Sequence, residues 1–323
     1  MGNYSLLEQY LHRFSLSRKS VRQFSFDLEK TFFRPKDSNG THVFIVGLPR
    51  SGTTILLETI YSSNEFASLT YSDMPFVMAP NLWAIINRAS HIDKKRQERA
   101  HGDGVFVSTA SPEAFEEVFW QTFNQKEAFS YINIYIGLLL RRYSKFRYLS
   151  KNNQNIFRIK ALAAAIPRSK ILITFRHPLQ HANSLLRQHL RFSEIQSADP
   201  FTLDYMDWIE HKEFGLSYRP YSMESLIFPS PNVINHWLEQ WFVVYDRVLS
   251  EVKNLDNVKL VNYESLCLQS SLWENIVEFI EIDARPDITF TQSPWKYIEK
   301  YDEKLYSDCM RVFDQLCQMQ IYR

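Results

Sequence analysis

Two short stretches gather most of the groups that could handle an anionic substrate. In the first, Gly47-Leu48-Pro49-Arg50-Ser51-Gly52-Thr53-Thr54 follows an apolar β-rich run, Val43 to Val46, and precedes Ile55, Leu56, Leu57 and Ile60 at helical spacing. A strand, a glycine turn and a helix N-terminus bring several backbone N–H groups to one point. The positive end of the helix dipole lies behind them, so an anion such as phosphate should bind there. In the second stretch, Ile171 to Phe175 reads as a buried strand ended by Arg176. Pro178 suits the first turn of the helix that follows, and Ser184 lies within it. A guanidinium fork and a hydroxyl both donate hydrogen bonds, which suits the oxygens of a terminal phosphate.

Between these stretches stand the candidates for moving a proton or screening charge. Lys151 follows a short expected strand, Phe146 to Leu149, and a lysine at a parallel strand's C-terminal end points into the ligand crevice. Asp73, in Asp73-Met74-Pro75 on an expected rigid turn, is the first choice for a general base, with its role as a turn or cap residue the alternative. His101, Asp103 and Glu116 are the other bases considered. Ser111-Pro112-Glu113 reads as a helix start, with Phe115, Val118, Phe119 and Phe123 as that helix's buried stripe.

At 323 residues and 45% hydrophobic, the chain can form one large α/β domain. The expected division is a helical arm over residues 1–40, a core over 41–266 and a helical C-terminal segment over 267–323. A net charge of +1 gives no reason to expect a nucleic-acid binder. Cys267, Cys309 and Cys317 form no metal-ligand pattern and cannot all pair, which fits a reducing, cytoplasmic setting. Neither a secretory signal nor a membrane-spanning run is read from the sequence. Residues 4–33 read as amphipathic helices with Leu, Phe and Val on one side and His12, Arg13, Arg18, Lys19 and Arg22 on the other. Such an arm would either cover the sheet edge or make peripheral contact with an anionic membrane. Trp237 and Trp241, on a helix expected over Val233 to Val252, read as core. Residues 193–231 read as an irregular insertion that could close over an acceptor.

The spacing from Gly47 to Thr54 is that of the nucleotide-binding loop G-x-x-x-x-G-K-[ST], with Thr53 in the lysine's position. That lysine normally reaches the β- and γ-phosphates of a triphosphate, so its replacement argues against an ordinary kinase or NTPase. GLPRSGTT resembles the phosphosulfate loop of sulfotransferases that use 3′-phosphoadenosine 5′-phosphosulfate. Arg176 and Ser184 are similar in spacing to that family's ligands for the 3′-phosphate. Asn262-Tyr263-Glu264-Ser265-Leu266 resembles its strand-end Y-E-x-L, with Glu264 as a brace.

The resemblance implies a P-loop-like three-layer sandwich, α/β, with a mainly parallel central sheet flanked by helices. It also implies that Arg50, Ser51, Gly52, Thr53, Thr54, Arg176 and Ser184 bind the donor, that Arg50, Asp73 and Lys151 act in catalysis, and that no metal takes part. Thr289 to Lys300 lacks the R-K-G-x-x-G-D-W-K-N sequence of the common cytosolic enzymes. Ser293, Lys296 or Lys300 would then complete the nucleotide site, and the branch implied is nearer to bacterial, tyrosylprotein and carbohydrate sulfotransferases. The implied acceptor is a carbohydrate or glycolipid; the alternatives are a peptide tyrosine, a small molecule, a P-loop kinase activity or an inactive nucleotide-binding homologue.

Overall fold

The computed structural model describes residues 4–87, 97–98, 106–221, 226–283, 289–292, 294–296, 298 and 300–321. His101, Asp103 and Ser293 lie outside them, as does most of the charged end expected for a helix over residues 85–99. At the centre is a parallel sheet of β1 (His42–Val46), β2 (Phe66–Ala67), β3 (Arg147–Lys151), β4 (Ser169–Phe175) and β5 (Val258–Asn262). Its spatial order is β2-β3-β1-β4-β5. After β3 the chain crosses to the other side of β1, so the topological switch, where such sheets bind ligands, falls at β1.

The strands are near-continuous apolar runs because both faces of the sheet are covered. Val43, Ile45, Leu149 and Leu172 face α3 (Thr53–Tyr61) and α12 (Ser270–Ile280). Phe44, Val46, Ile171 and Ile173 belong to the opposite core, with α6 (Gln125–Tyr143), α7 (Ile159–Ala165), α8 (Pro178–Ala198) and α10 (Ile234–Val252), and α4 (Pro80–Ile86) packs on α6. Trp237 and Trp241 on α10 are fully buried there, as their helical spacing predicts. The polypeptide then returns through α13 (Glu303–Met319), and the Ile321 amide bonds to the Leu260 carbonyl on β5.

Parallel register places the strand ends that matter on one rim. Ile45 on β1 is level with Lys151 on β3, Val46 with Ile173 on β4, and Phe175 with Asn262 on β5. The loop 47–52, Lys151, Arg176 and Glu264 therefore emerge from one edge. α11 (Tyr263–Leu268) begins directly after β5, capped by the Asn262 side chain.

Three local expectations change. The helix expected at Ser111 begins at Glu117 (α5, Glu117–Thr122), because residues 111–113 run antiparallel to Leu69–Tyr71. The Glu113 amide bonds to the Leu69 carbonyl, and the Tyr71 amide to the Ser111 carbonyl. The stretch read as irregular from residue 193 continues α8 to Ala198 and adds α9 (Pro200–Trp208), with Asp199 as its cap. The arm, α1 (Leu6–Leu16) and α2 (Lys19–Phe32), keeps only part of the expected division: Leu16 and Phe26 are buried and Arg13, Arg18 and Lys19 exposed, but His12 and Arg22 are buried while Leu6, Leu7, Tyr10 and Phe14 are exposed.

Two histidines are built in as neutral groups. The buried His42 ring accepts from the Tyr148 amide at Nδ1, leaving Nε2 to donate to Ser38 Oγ. Burial, then Arg147, pushes its pKa down to about 4, while burial and the Arg176 charge push His181 on α8 down to about 3. Both depressed values mean that the unfolded chain takes up protons first. The stabilisation they give is complete above pH 6.5 and is lost as the pH falls toward about 4 and about 3. Each histidine contributes a slope of up to about 1.4 kcal/mol per pH unit in that window. The thermal midpoint should therefore drop between pH 7 and 5, and His181→Asn should flatten the drop; an unchanged midpoint would contradict the assignment.

Candidate active site

The loop after β1 is held open by its own carbonyl groups. The Leu48 carbonyl accepts from Ser51 Oγ at 2.7 Å, the Pro49 carbonyl from His181 Nε2 at 2.7 Å, and the Arg50 carbonyl from an Arg176 terminal nitrogen at 3.1 Å. A carbonyl oxygen only accepts, so His181 donates from Nε2 as a neutral imidazole, the state its low pKa enforces. With three successive carbonyls anchored, one within the loop and two by the surrounding protein, the peptide dipoles of the turn are fixed before any ligand arrives. Tyr245 adds a support from below: its hydroxyl accepts from the Leu48 amide at 3.4 Å and donates to the Thr174 carbonyl at 2.8 Å.

Two backbone features make the turn tight. Arg50 sits at φ 70°, a left-handed conformation uncommon for a residue with a Cβ. Gly52, the N-cap of α3, sits at φ 92°, and a Cβ there would lie 2.2 Å from the Tyr263 ring. Gly52→Ala should therefore distort the loop and cost more than the about 1–2 kcal/mol of the left-handed conformation alone. Denaturant melts would register it, and a variant as stable as the wild type would show that the close approach is not obligatory.

Of the expected donor ligands, Thr53 and Thr54 occupy the first turn of α3, whose amides have no partner within the helix. Ser51 is placed differently: its hydroxyl bonds to the Leu48 carbonyl and, at 2.6 Å, to Thr174 Oγ1, and its amide bonds to the Leu48 carbonyl. Ser51 shapes the loop from inside it. Arg50, Arg176 and Ser184 come together as the sequence predicts, with Arg50 Nε 3.4 Å from Ser184 Oγ. Arg176 also donates from Nε to Glu264 at 3.1 Å, and the second Glu264 oxygen accepts from the His177 amide at 3.2 Å. Glu264 is thus the brace expected of it, joining the end of β5 to the start of α8.

Past Arg176, a C-terminal strap reaches α8. Gln180 exchanges two hydrogen bonds with the Lys296 backbone at 2.9 and 3.0 Å, and Trp295 lies against the His177 ring at 4.6 Å between centroids. Burial and Arg176 push His177 down to about 4.

Across the rim, Lys151 lies 3.8 Å from Glu113. Glu113 accepts from the Tyr71 hydroxyl at 2.9 Å and from the Ala114 amide at 2.9 Å. Lys151 and Glu113 are both buried. The Asn152 amide bonds to the Ile45 carbonyl at 3.1 Å, which ties Lys151 to the root of the anion loop.

Asp73 is employed elsewhere. Fully buried, it caps the 3₁₀ turn Tyr71–Asp73 by accepting from the Thr70 amide at 2.8 Å, takes the Tyr143 hydroxyl, and lies 3.7 Å from Arg142. Burial raises its pKa against those partners. The carboxylate that faces Lys151 at the rim is Glu113, while Asp73 takes the turn-and-cap position. Glu116 is likewise structural: buried, it accepts from Trp120, Asn155 and Tyr148, each at 2.8 Å. The sequence signal that could have singled out Glu113 is weak, because Ser111-Pro112 before it has the form of a helix cap.

The fold is α/β, with a tight turn at the switch point of a parallel sheet, Arg50 and Arg176 beside it, and the Lys151–Glu113 pair on the same rim. The model of the sulfotransferase family matches residues 42–216, more than half of the chain, and the chain belongs to that family. Among solved structures it is similar to the sulfotransferase STF1 of Mycobacterium tuberculosis H37Rv, with 13% identity and a TM-score of 0.50 over 97% of this chain and 87% of that one. STF9 of Mycobacterium avium matches at 12% identity and a TM-score of 0.49, over 99% of this chain and 80% of the other. A sulfotransferase of Alicyclobacillus acidocaldarius matches at 15% and 0.41, over 85% and 94%. No curated protein matches the chain in sequence. At such identities the likeness to STF1 speaks to the fold, a parallel sheet flanked by helices.

Proposed function

We propose that this protein transfers a sulfuryl group from 3′-phosphoadenosine 5′-phosphosulfate to a hydroxyl of a carbohydrate or glycolipid. The observation that carries this reading is the loop itself, with three successive carbonyls anchored and Thr53 where a triphosphate site has lysine. A sulfuryl group bears one negative charge where a terminal phosphoryl bears about two, so amides and one guanidinium can serve in place of the lysine. In this reading the amides of the turn and of Thr53 and Thr54 hold the 5′-phosphosulfate. Arg176 and Ser184 face the 3′-phosphate, and Ser51 keeps the loop in shape.

Transfer forms a bond from the acceptor oxygen to sulfur and breaks the bond from sulfur to the bridging oxygen, releasing adenosine 3′,5′-bisphosphate. Charge grows on that bridging oxygen, and Arg50, fixed in the loop, stabilises it more in the transition state than in the ground state. Lys151 screens the transferring group, and Glu113 takes the acceptor proton in the role first expected of Asp73. Tyr71, partly exposed and bonded to Glu113, gives the acceptor side an aromatic face with a polar anchor, backed by the buried Phe115 ring at 5.3 Å, which suits a sugar. We place the activity in the cytoplasm, in keeping with three free cysteines.

Calorimetry decides between donors. Adenosine 3′,5′-bisphosphate should bind without magnesium and ATP with magnesium should not; the reverse pattern would overturn the proposal. Labelled donor offered with a panel of sugars, glycolipids, tyrosyl peptides and phenols then reads the acceptor class.

A further inference from the structure

α1 carries a second apolar face, turned away from the core. α1 turns His12, Ser15 and Leu16 inward, with the His12 ring 4.9 Å from Tyr4 and 5.5 Å from Tyr205. α2 buries Arg22, which pairs with Glu210 at 3.6 Å. Outward, α1 presents Leu6, Leu7, Tyr10 and Phe14, which are 85%, 68%, 65% and 51% exposed. Positions 6, 7, 10 and 14 recur at three- and four-residue steps, so these side chains make one stripe along the helix. Arg13 in the last turn is exposed beside it, and exposed Arg18 and Lys19 follow directly. The one acidic residue of α1, Glu8, is engaged with Ser5 in the cap at the far end.

We propose that this stripe docks the protein on an anionic lipid surface. The four apolar side chains enter the boundary between headgroups and acyl chains, and Arg13, Arg18 and Lys19 meet the headgroup charge. A second copy of the chain is the competing occupant, and the area argues against it. An 11-residue helix is about 16 Å long, and four side chains on it offer on the order of 500 Å², short of the about 800 Å² per partner that specific protein interfaces bury. Among the described residues no helix is long and apolar enough to cross a membrane, so the contact is a surface one.

The location gives the docking a purpose. α1 packs on α9, and His211, just past the end of α9, donates from Nε2 to the Ala114 carbonyl beside Glu113 at 2.9 Å. A lipid surface under α1 therefore lies on the acceptor side of the crevice. That purpose, delivery of a lipid-borne acceptor, rests on the proposed transfer; the docking does not.

Flotation of the full chain with vesicles, without any donor, is the test. Vesicles of phosphatidylcholine and phosphatidylglycerol in equal parts should carry the protein at least tenfold better than phosphatidylcholine alone, and raising the salt from about 0.05 to about 0.5 M should weaken the binding. Leu7→Glu with Tyr10→Glu should reduce flotation more than tenfold with an unchanged melting curve, and Arg13→Glu with Lys19→Glu should do so at low salt. Wild-type protein that stays behind with anionic vesicles, or a Leu7→Glu, Tyr10→Glu variant that floats as well as wild type, overturns the proposal. So does a wild-type dimer in sedimentation that the same pair of substitutions converts to monomer. Flotation without any sulfuryl transfer would leave the docking standing and count against the proposed activity alone.

Discussion

Arg50→Ala is expected to lower kcat by about two to three orders of magnitude while the melting curve stays close to wild type. The magnitude is that of removing one preorganised donor from the place where transition-state charge accumulates. Stability should change little, because the bond that fixes Arg50 in the loop is made by its backbone carbonyl to Arg176. The side chain donates a long 3.4 Å bond to Ser184. Lysine at the same position should recover part of the rate, since it restores charge without the planar fork. Turnover within a few fold of wild type for Arg50→Ala would remove the guanidinium from the mechanism.

The second large effect is expected at Glu113, and it comes paired with a control. Glu113→Gln keeps the size of the side chain and can still accept from the Ala114 amide, with its NH2 donating to the Tyr71 hydroxyl in reversed sense, but cannot accept a proton. It should reduce kcat by about 10²- to 10⁴-fold, the usual contribution of a general base. Asp73→Asn should show the opposite division. Its carboxylate sits fully buried among Thr70, Tyr143 and Arg142, so the substitution should destabilise the fold and leave kcat of the folded fraction largely intact. Measuring both rate and unfolding midpoint for the two variants separates the roles. A fully active Glu113→Gln alongside an inactive but stable Asp73→Asn would restore Asp73 as the base.

What the sequence made legible followed from how local each signal is. The anion loop is eight consecutive residues between a strand and a helix, so its glycines, Arg50 and the two threonines could be read without knowing what surrounds them. Arg176 and Ser184 were legible for the same reason, one at a strand end and one on the next helix. The trios that hold the loop were not, because His181 and Tyr245 meet Leu48 and Pro49 only after β1, β4, α8 and α10 have assembled. Glu113 was hidden by a local signal that tertiary pairing overrode: Ser111-Pro112 has the form of a cap, but Thr70 pairs with Pro112 in a short bridge instead. The sense of the arm was equally illegible, since α9 determines which side of α1 is buried. Asp199 and Pro200 do mark the start of α9, a capping side chain followed by proline in the first turn.

The anchoring of residues 48–50 has a thermodynamic side. Ser51, His181 and Arg176 immobilise the turn while the polypeptide is becoming native, so the entropy of arranging its amides is surrendered then and not at ligand encounter. A guest anion meets a mould already set, and its association should involve little ordering of the protein around it.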